Sequence, residues 1–148
     1  MNQTIAIIGS GFSALAASCY LAQSGHQVTV FEKNASLGGR ARQLKKEGFT
    51  FDMGPTWYWM PDVFEQFFSD FGKSPQDYYD LIKLNPAYAV YFGPSDVITI
   101  EDTLDKIKAA FEREEKGSAH KLQKFIDEAL DNYNIAIKDL VYRPGISP

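Results

Sequence analysis

Apolar residues fall in short unbroken runs early in the chain and at helical spacing later on. Ile5 to Ile8 form one such run, closed by Gly9, and predict a buried strand of a parallel sheet over Thr4–Ile8. Small residues and good helix formers fill 15–22 and predict a helix. Ser24-Gly25 closes it, Gly25 being suited to the left-handed residue past a helix end. Val28, Val30 and Phe31 then predict a second strand over Gln27–Phe31. Strand, glycine turn, helix and strand within ~30 residues make a βαβ unit.

Residues 41–52 read as a short extended pair around the turn Lys46-Glu47-Gly48. Val63, Phe64, Phe67, Phe68 and Phe71 lie on one face of a helix that Gly72 ends. Residues 84–92 and 97–100 read as two strands joined by Gly93-Pro94-Ser95-Asp96. Leu104, Ile107 and Phe111 predict a helix over 103–116. Ser118 is placed as N-cap of a longer helix over 119–140, whose stripe carries Leu122, Phe125, Ile126, Ala129, Leu130, Tyr133 and Ile137. The predicted fold class is α/β: a Rossmann-like βαβ unit with a parallel sheet, followed by an α+β segment.

Composition narrows the function classes. With 148 residues, 45% hydrophobic and 23% charged, the chain has the make-up of an ordinary globular domain, which excludes a disordered tail, a fibre or a disulfide-rich mini-protein. A net charge of -4 argues against a nucleic-acid partner. Cys19, the single cysteine, forms no intrachain disulfide and is expected to be a small buried packing residue. No metal-ligand spacing surrounds His26 or His120, so no metal is expected and both histidines read as surface residues. The acidic stretch 112–115 reads as a solvated helix face. No apolar run approaches the ~20 residues that span a bilayer, and no signal peptide is visible, so the expected compartment is the cytoplasm.

The chemistry-bearing pattern opens the chain. Gly9-Ser10-Gly11-Phe12-Ser13-Ala14 lies between the first strand and its helix, which is the required place for a dinucleotide loop. Gly9 allows the tight turn, Gly11 lets the backbone approach a pyrophosphate, and Ala14 keeps the helix close to the strands. Phe12 and Ser13 stand at the helix N-terminus, whose free N–H groups attract phosphate. Glu32, followed by Lys33, ends the second strand, where a carboxylate accepts hydrogen bonds from a ribose diol and repels a 2′-phosphate. Gly38-Gly39 can pass close to a cofactor, and Arg40 can bring a cation to its phosphates.

Gly9-x-Gly11-x-x-Ala14, Glu32, Gly38-Gly39-Arg40 and Gly48-Phe49-x-Phe51-Asp52-x-Gly54-Pro55 together resemble the N-terminal part of the phytoene desaturase family. These are FAD-dependent carotenoid oxidoreductases within the amine-oxidase-like flavoprotein group. The likeness continues through Leu84-Asn85-Pro86-Ala87-Tyr88, Lys124-Phe125 and Tyr142-Arg143-Pro144. It implies that Gly9, Gly11 and Glu32 hold the adenosine diphosphate half of FAD. Gly39, Arg40 and Gly54-Pro55-Thr56 are implied to pass near the pyrophosphate and flavin. The implied reaction is dehydrogenation of a long acyclic isoprenoid or carotenoid, with no residue here named as catalytic acid or base. On this resemblance 1–60 belongs to the FAD-binding domain and 61–148 begins a substrate domain, the whole looking like the first third of such an enzyme.

A lipid-soluble substrate implies peripheral membrane contact. Two other readings stay open: a flavoenzyme of the amine-oxidase type with another substrate, and a non-catalytic FAD-binding module that needs a partner chain. Aromatic residues reach 14% and cluster from Phe49 to Phe71. Phe64, Phe67 and Phe68 read more simply as packing than as a polyene channel, and exposed aromatic surface is expected to favour self-association.

Overall fold

The computed structural model describes residues 1–141 and 143, so Tyr142 and Pro144 of the family-like run lie outside the described residues. The chain divides into two units, Met1–Asp80 and Leu81–Pro148.

In the first unit β1 (Thr4–Ile8) pairs in parallel with β2 (Gln27–Phe31), in a register that sets Ile5 against Val28 and Ile8 against Phe31. The crossover is α1 (Phe12–Gln23), which starts at Phe12, ahead of the predicted stretch, because Gly11 already caps it. Ser24 closes it and Gly25 follows at φ +88. The strands are less buried than their apolar run predicts. Ile5 and Ile7 are half-buried, whereas Ile8 is 83% exposed, because α1 covers one face of a two-stranded sheet. Cys19 is likewise exposed and not a buried packing residue.

Next comes the antiparallel hairpin β3 (Gln43–Lys46) and β4 (Phe49–Asp52). Its two-residue turn has positive φ at both Glu47 and Gly48, the type I′ geometry that suits strand twist. Helix α2 (Pro61–Asp70) begins with proline at its first position and ends before Gly72, which takes φ +66. Its aromatic face packs within this unit. Phe64 meets Phe12 edge-on at 6.0 Å, and Phe67 meets Tyr20 at 5.8 Å. Phe68 stacks on Tyr78 at 4.9 Å. The Tyr20 hydroxyl donates to Asp70 at 2.6 Å, fastening α2 to α1. The first unit therefore extends past residue 60 and includes α2.

The second unit starts with the hairpin β5 (Tyr88–Gly93) and β6 (Asp96–Ile100). The expected strand over 84–92 is shortened to begin at Tyr88, because Pro86 has no N–H to give a ladder. The strands also run into Gly93 and Asp96, leaving Pro94-Ser95 as the turn. Helix α3 (Leu104–Glu114) packs on α4 (Ser118–Ile135), which continues as a π-helical turn over Ala136–Leu140. Ser118 is not the N-cap. Gly117 turns the chain at φ +87, and the Glu112 carboxylate of α3 accepts the N–H groups of Gly117 and Ala119 at 2.7 and 3.0 Å. A side chain from the preceding helix thus does the work expected of a local serine, and Glu112 is no idle surface charge. On α4 only Leu122, Ile126, Tyr133 and Ile137 of the expected stripe are half-buried, while Phe125, Ala129 and Leu130 are exposed.

Apolar surface is exposed in the first unit: Trp57, Trp59, Phe49 and Phe51 are all more than half exposed.

Candidate functional site

The site is built where three loops meet. After Ile8 the chain turns at Gly9, whose φ of +92 only glycine adopts easily, and the Gly9 N–H extends the sheet by donating to the Phe31 carbonyl at 2.7 Å. Gly11 then caps α1 in extended backbone, with φ -70 and ψ 170. The first N–H groups of α1, at Phe12 and Ser13, have no intrahelical partner, and no acidic side chain stands in that turn. They present donors and partial positive charge to an anion.

The second loop is Gly38 with the 3-10 turn Gly39–Ala41. Gly38 N–H donates to the Ser10 carbonyl at 3.0 Å, tying this loop to the first. The third loop follows β4, where the Met53 N–H donates to the Arg42 carbonyl at 3.0 Å. Glycines make these approaches close. A Cβ on Gly39 would lie 3.1 Å from the Gly11 Cα, and one on Gly38 would lie 3.2 Å from the Arg42 Cα. A Cβ on Gly54 would lie 2.2 Å from the Arg40 carbonyl oxygen, well inside van der Waals contact. Gly39 and Gly54 thus make room for other loops, and Gly38 for the close of its own turn at Arg42.

Gly11 differs. Its backbone suits any residue, and an added Cβ would meet nothing within 4 Å. Neither conformation nor a neighbour demands glycine there, so its missing side chain fits a group lying in the cleft.

That cleft has a volume of about 1050 Å³ and is walled by Gly9, Gly11, Phe12, Ser13, Gly39, Arg40, Gly54 and Pro55 from the predicted set. Lys33 and Thr56 are exposed and do not wall it. Arg42 does wall it and was not singled out in the sequence, although it stands two residues past Arg40 in a strand-like run. Neither Arg40 nor Arg42 forms an ion pair among the described residues.

Glu32 sits behind the loop at the end of β2. Its Oε2 accepts the Ser10 N–H at 2.9 Å and the Ser10 hydroxyl at 2.7 Å, and its Oε1 accepts the Asn34 N–H and side-chain amide at 2.8 and 2.7 Å. Ser10 is 1% exposed, the most buried polar residue described. Ser10 and Asn34 were also missed from sequence. The parallel register points to Ser10, since carrying the β1–β2 pairing one residue on sets Gly9 opposite Glu32 and makes Ser10 its next neighbour.

The Ser10 hydroxyl, with the amides of Asn34 and Ser10, holds the Glu32 carboxyl down at about 2, against an ordinary 4.5. A depressed folded value stabilises the fold above about 4.5, and that contribution is lost as pH falls towards 2. Wild-type protein should therefore lose thermal stability more steeply than Glu32→Gln between pH 4.5 and 2. Parallel melting curves over that range would refute the Glu32 contacts.

Residues 7–72 match the family model of the NAD(P)-binding Rossmann-like domain. The chain is 43% identical over 142 residues to the carotenoid 3,4-desaturase of Haloarcula japonica, covering 96% of this chain and 29% of that protein. It is 46% identical over 144 residues to the 4,4'-diapophytoene desaturase (4,4'-diaponeurosporene-forming) of Staphylococcus aureus strain Newman, covering 97% and 29%. Among solved structures, the CLA-producing fatty acid isomerase from P. acnes aligns over 47% of this chain and 17% of that one, at 31% identity and TM-score 0.37, an overlap too small to bear on the fold. The glycine loop, its helix and the parallel strand pair all lie inside the matched domain, and the likeness to desaturases runs nearly end to end. The chain is thus similar to these carotenoid and diapophytoene desaturases along nearly its whole length, and spans 29% of the length of each.

Proposed function

We propose that this chain forms part of an FAD-dependent desaturase, supplying the cleft that holds the adenosine diphosphate half of the flavin dinucleotide. The observation that carries this is Gly11, open to the cleft with no structural need to be glycine, beside the free amides of α1. When bound, FAD would supply the capacity to take two reducing equivalents from a substrate. The residues' own tasks are binding and orientation. The amides at Phe12 and Ser13 meet phosphate, Arg40 and Arg42 neutralise its charge, and Glu32 faces the ribose. Gly54 and Pro55 bound the cleft on its far side.

The proposed substrate class is a long acyclic isoprenoid, as the names of the relatives indicate. The exposed indoles of Trp57 and Trp59, packed edge-on at 6.3 Å, give an apolar surface of the kind such a chain wets. The same surface would draw copies of the chain together at high concentration. Among the described residues no helix is long and apolar enough to cross a membrane, so contact with a lipid surface would be peripheral.

Titration with FAD, followed by quenching of flavin fluorescence, tests the cofactor. FAD should bind at least tenfold more tightly than NAD, ADP should compete, and FMN, which lacks the adenosine half, should not. Equal affinity for FAD and NAD would leave a dinucleotide site but sink the choice of FAD.

A further inference from the structure

Glu32 has no acceptor position to spare. A carboxylate offers about four lone-pair sites, two on each oxygen. Ser10 fills both sites on Oε2, and Asn34 fills both on Oε1. A ribose diol reaching this carboxylate finds every site taken, so a donor must leave first.

The four donors differ in how readily they leave. Two are backbone N–H groups fixed by the chain's path. The Ser10 hydroxyl is buried and cannot turn to water. The Asn34 side chain is exposed on the loop after β2, and its amide donates only to Glu32 among the described residues. Water can replace that partner at little cost.

We infer that the Asn34 side-chain amide is a built-in stand-in for a ribose hydroxyl, occupying Glu32 Oε1 in the free protein and swinging out when a nucleoside diphosphate binds. The Ser10 hydroxyl stays throughout and keeps the carboxylate aimed. This rests on the reading of the loop as a dinucleotide site. Two residues on one carboxylate then act with opposite sign: Asn34 competes with the ligand, and Ser10 supports it. Charge favours the exchange, since the carboxylate stays ionised with its folded value held near 2.

Calorimetry with ADP, and with 2′,3′-dideoxy-ADP as a ligand lacking the diol, tests it on this chain. Asn34→Ala should bind ADP about three- to tenfold more tightly than wild type and dideoxy-ADP equally well, while Ser10→Ala should bind ADP at least threefold more weakly. In the free wild type, the Asn34 side-chain amide signals in an NMR spectrum should shift on adding ADP and stay put with dideoxy-ADP. Unchanged or weaker ADP binding by Asn34→Ala, or equal tightening for both ligands, overturns the inference while leaving the dinucleotide reading intact. A wild-type chain that binds neither ADP nor FAD overturns that reading and this inference with it.

Discussion

Gly54→Ala should break the cleft by destabilising its unit, with or without ligand present. The new methyl would lie 2.2 Å from the Arg40 carbonyl oxygen and 3.1 Å from the carbonyl carbon. Both are backbone atoms, so no side chain can rotate aside. Either the loop after β4 or the turn at Gly39–Ala41 must shift. Forcing bulk into such a contact costs about 1–3 kcal/mol, and for a domain of this size each kcal/mol lowers the melting temperature by roughly 4–8 °C. A drop of about 10 °C or more is expected in thermal melts, together with loss of measurable ADP binding. Gly93→Ala is the control, since Gly93 has open space and no positive φ, and should change little. A Gly54→Ala protein that melts like wild type would mean that the two loops do not meet in solution.

Gly11→Ala should do the reverse. With φ -70 and nothing near the added methyl, the protein should fold as before and melt within a degree or two of wild type. The methyl would instead stand in the cleft beside the helix N-terminus, where a pyrophosphate must come close to backbone N–H groups. Moving phosphate outward by an ångström or more weakens charge-assisted hydrogen bonds, which prefer about 2.7–2.9 Å. A loss of at least tenfold in ADP and FAD affinity is expected by calorimetry. If Gly11→Ala binds ADP as tightly as wild type, phosphate does not lie over Gly11, and the proposed function loses its main support.

The contrast between these two glycines marks what the sequence could and could not tell. Both read from sequence as places where backbone comes near a cofactor. For Gly9 and Gly11 the signal is local, a glycine turn between strand and helix that the sequence displays directly. For Gly39 and Gly54 the close neighbour is another loop, and which loops meet depends on tertiary placement that spacing does not encode.

The βαβ unit was legible to the residue at both strands, Thr4–Ile8 and Gln27–Phe31, because local periodicity and bounding glycines suffice there. The Ser118 cap was misplaced because its competitor, Glu112, reaches in from the preceding helix. Cys19 was misplaced for a related reason. The face of α1 that carries it meets no second layer among the described residues, so small and apolar did not mean buried. Arg42 and Asn34 carry no motif signal of their own: only the folded loops put Arg42 in the cleft wall and Asn34 on the Glu32 carboxylate.

The three-loop junction makes the cleft part of the fold's own thermodynamics. Gly11, Gly39 and Gly54 are brought together only when β1, the turn after Gly38 and the loop after β4 are all in place. A ligand that binds this native arrangement and not the unfolded chain adds about 2.7 kcal/mol of stability at a hundred times its dissociation constant. That is a large share of the ~5–15 kcal/mol that holds an ordinary domain together. The nucleotide then acts as a fourth segment of the unit, and cells rich in it would hold a larger folded population of this protein than cells that lack it.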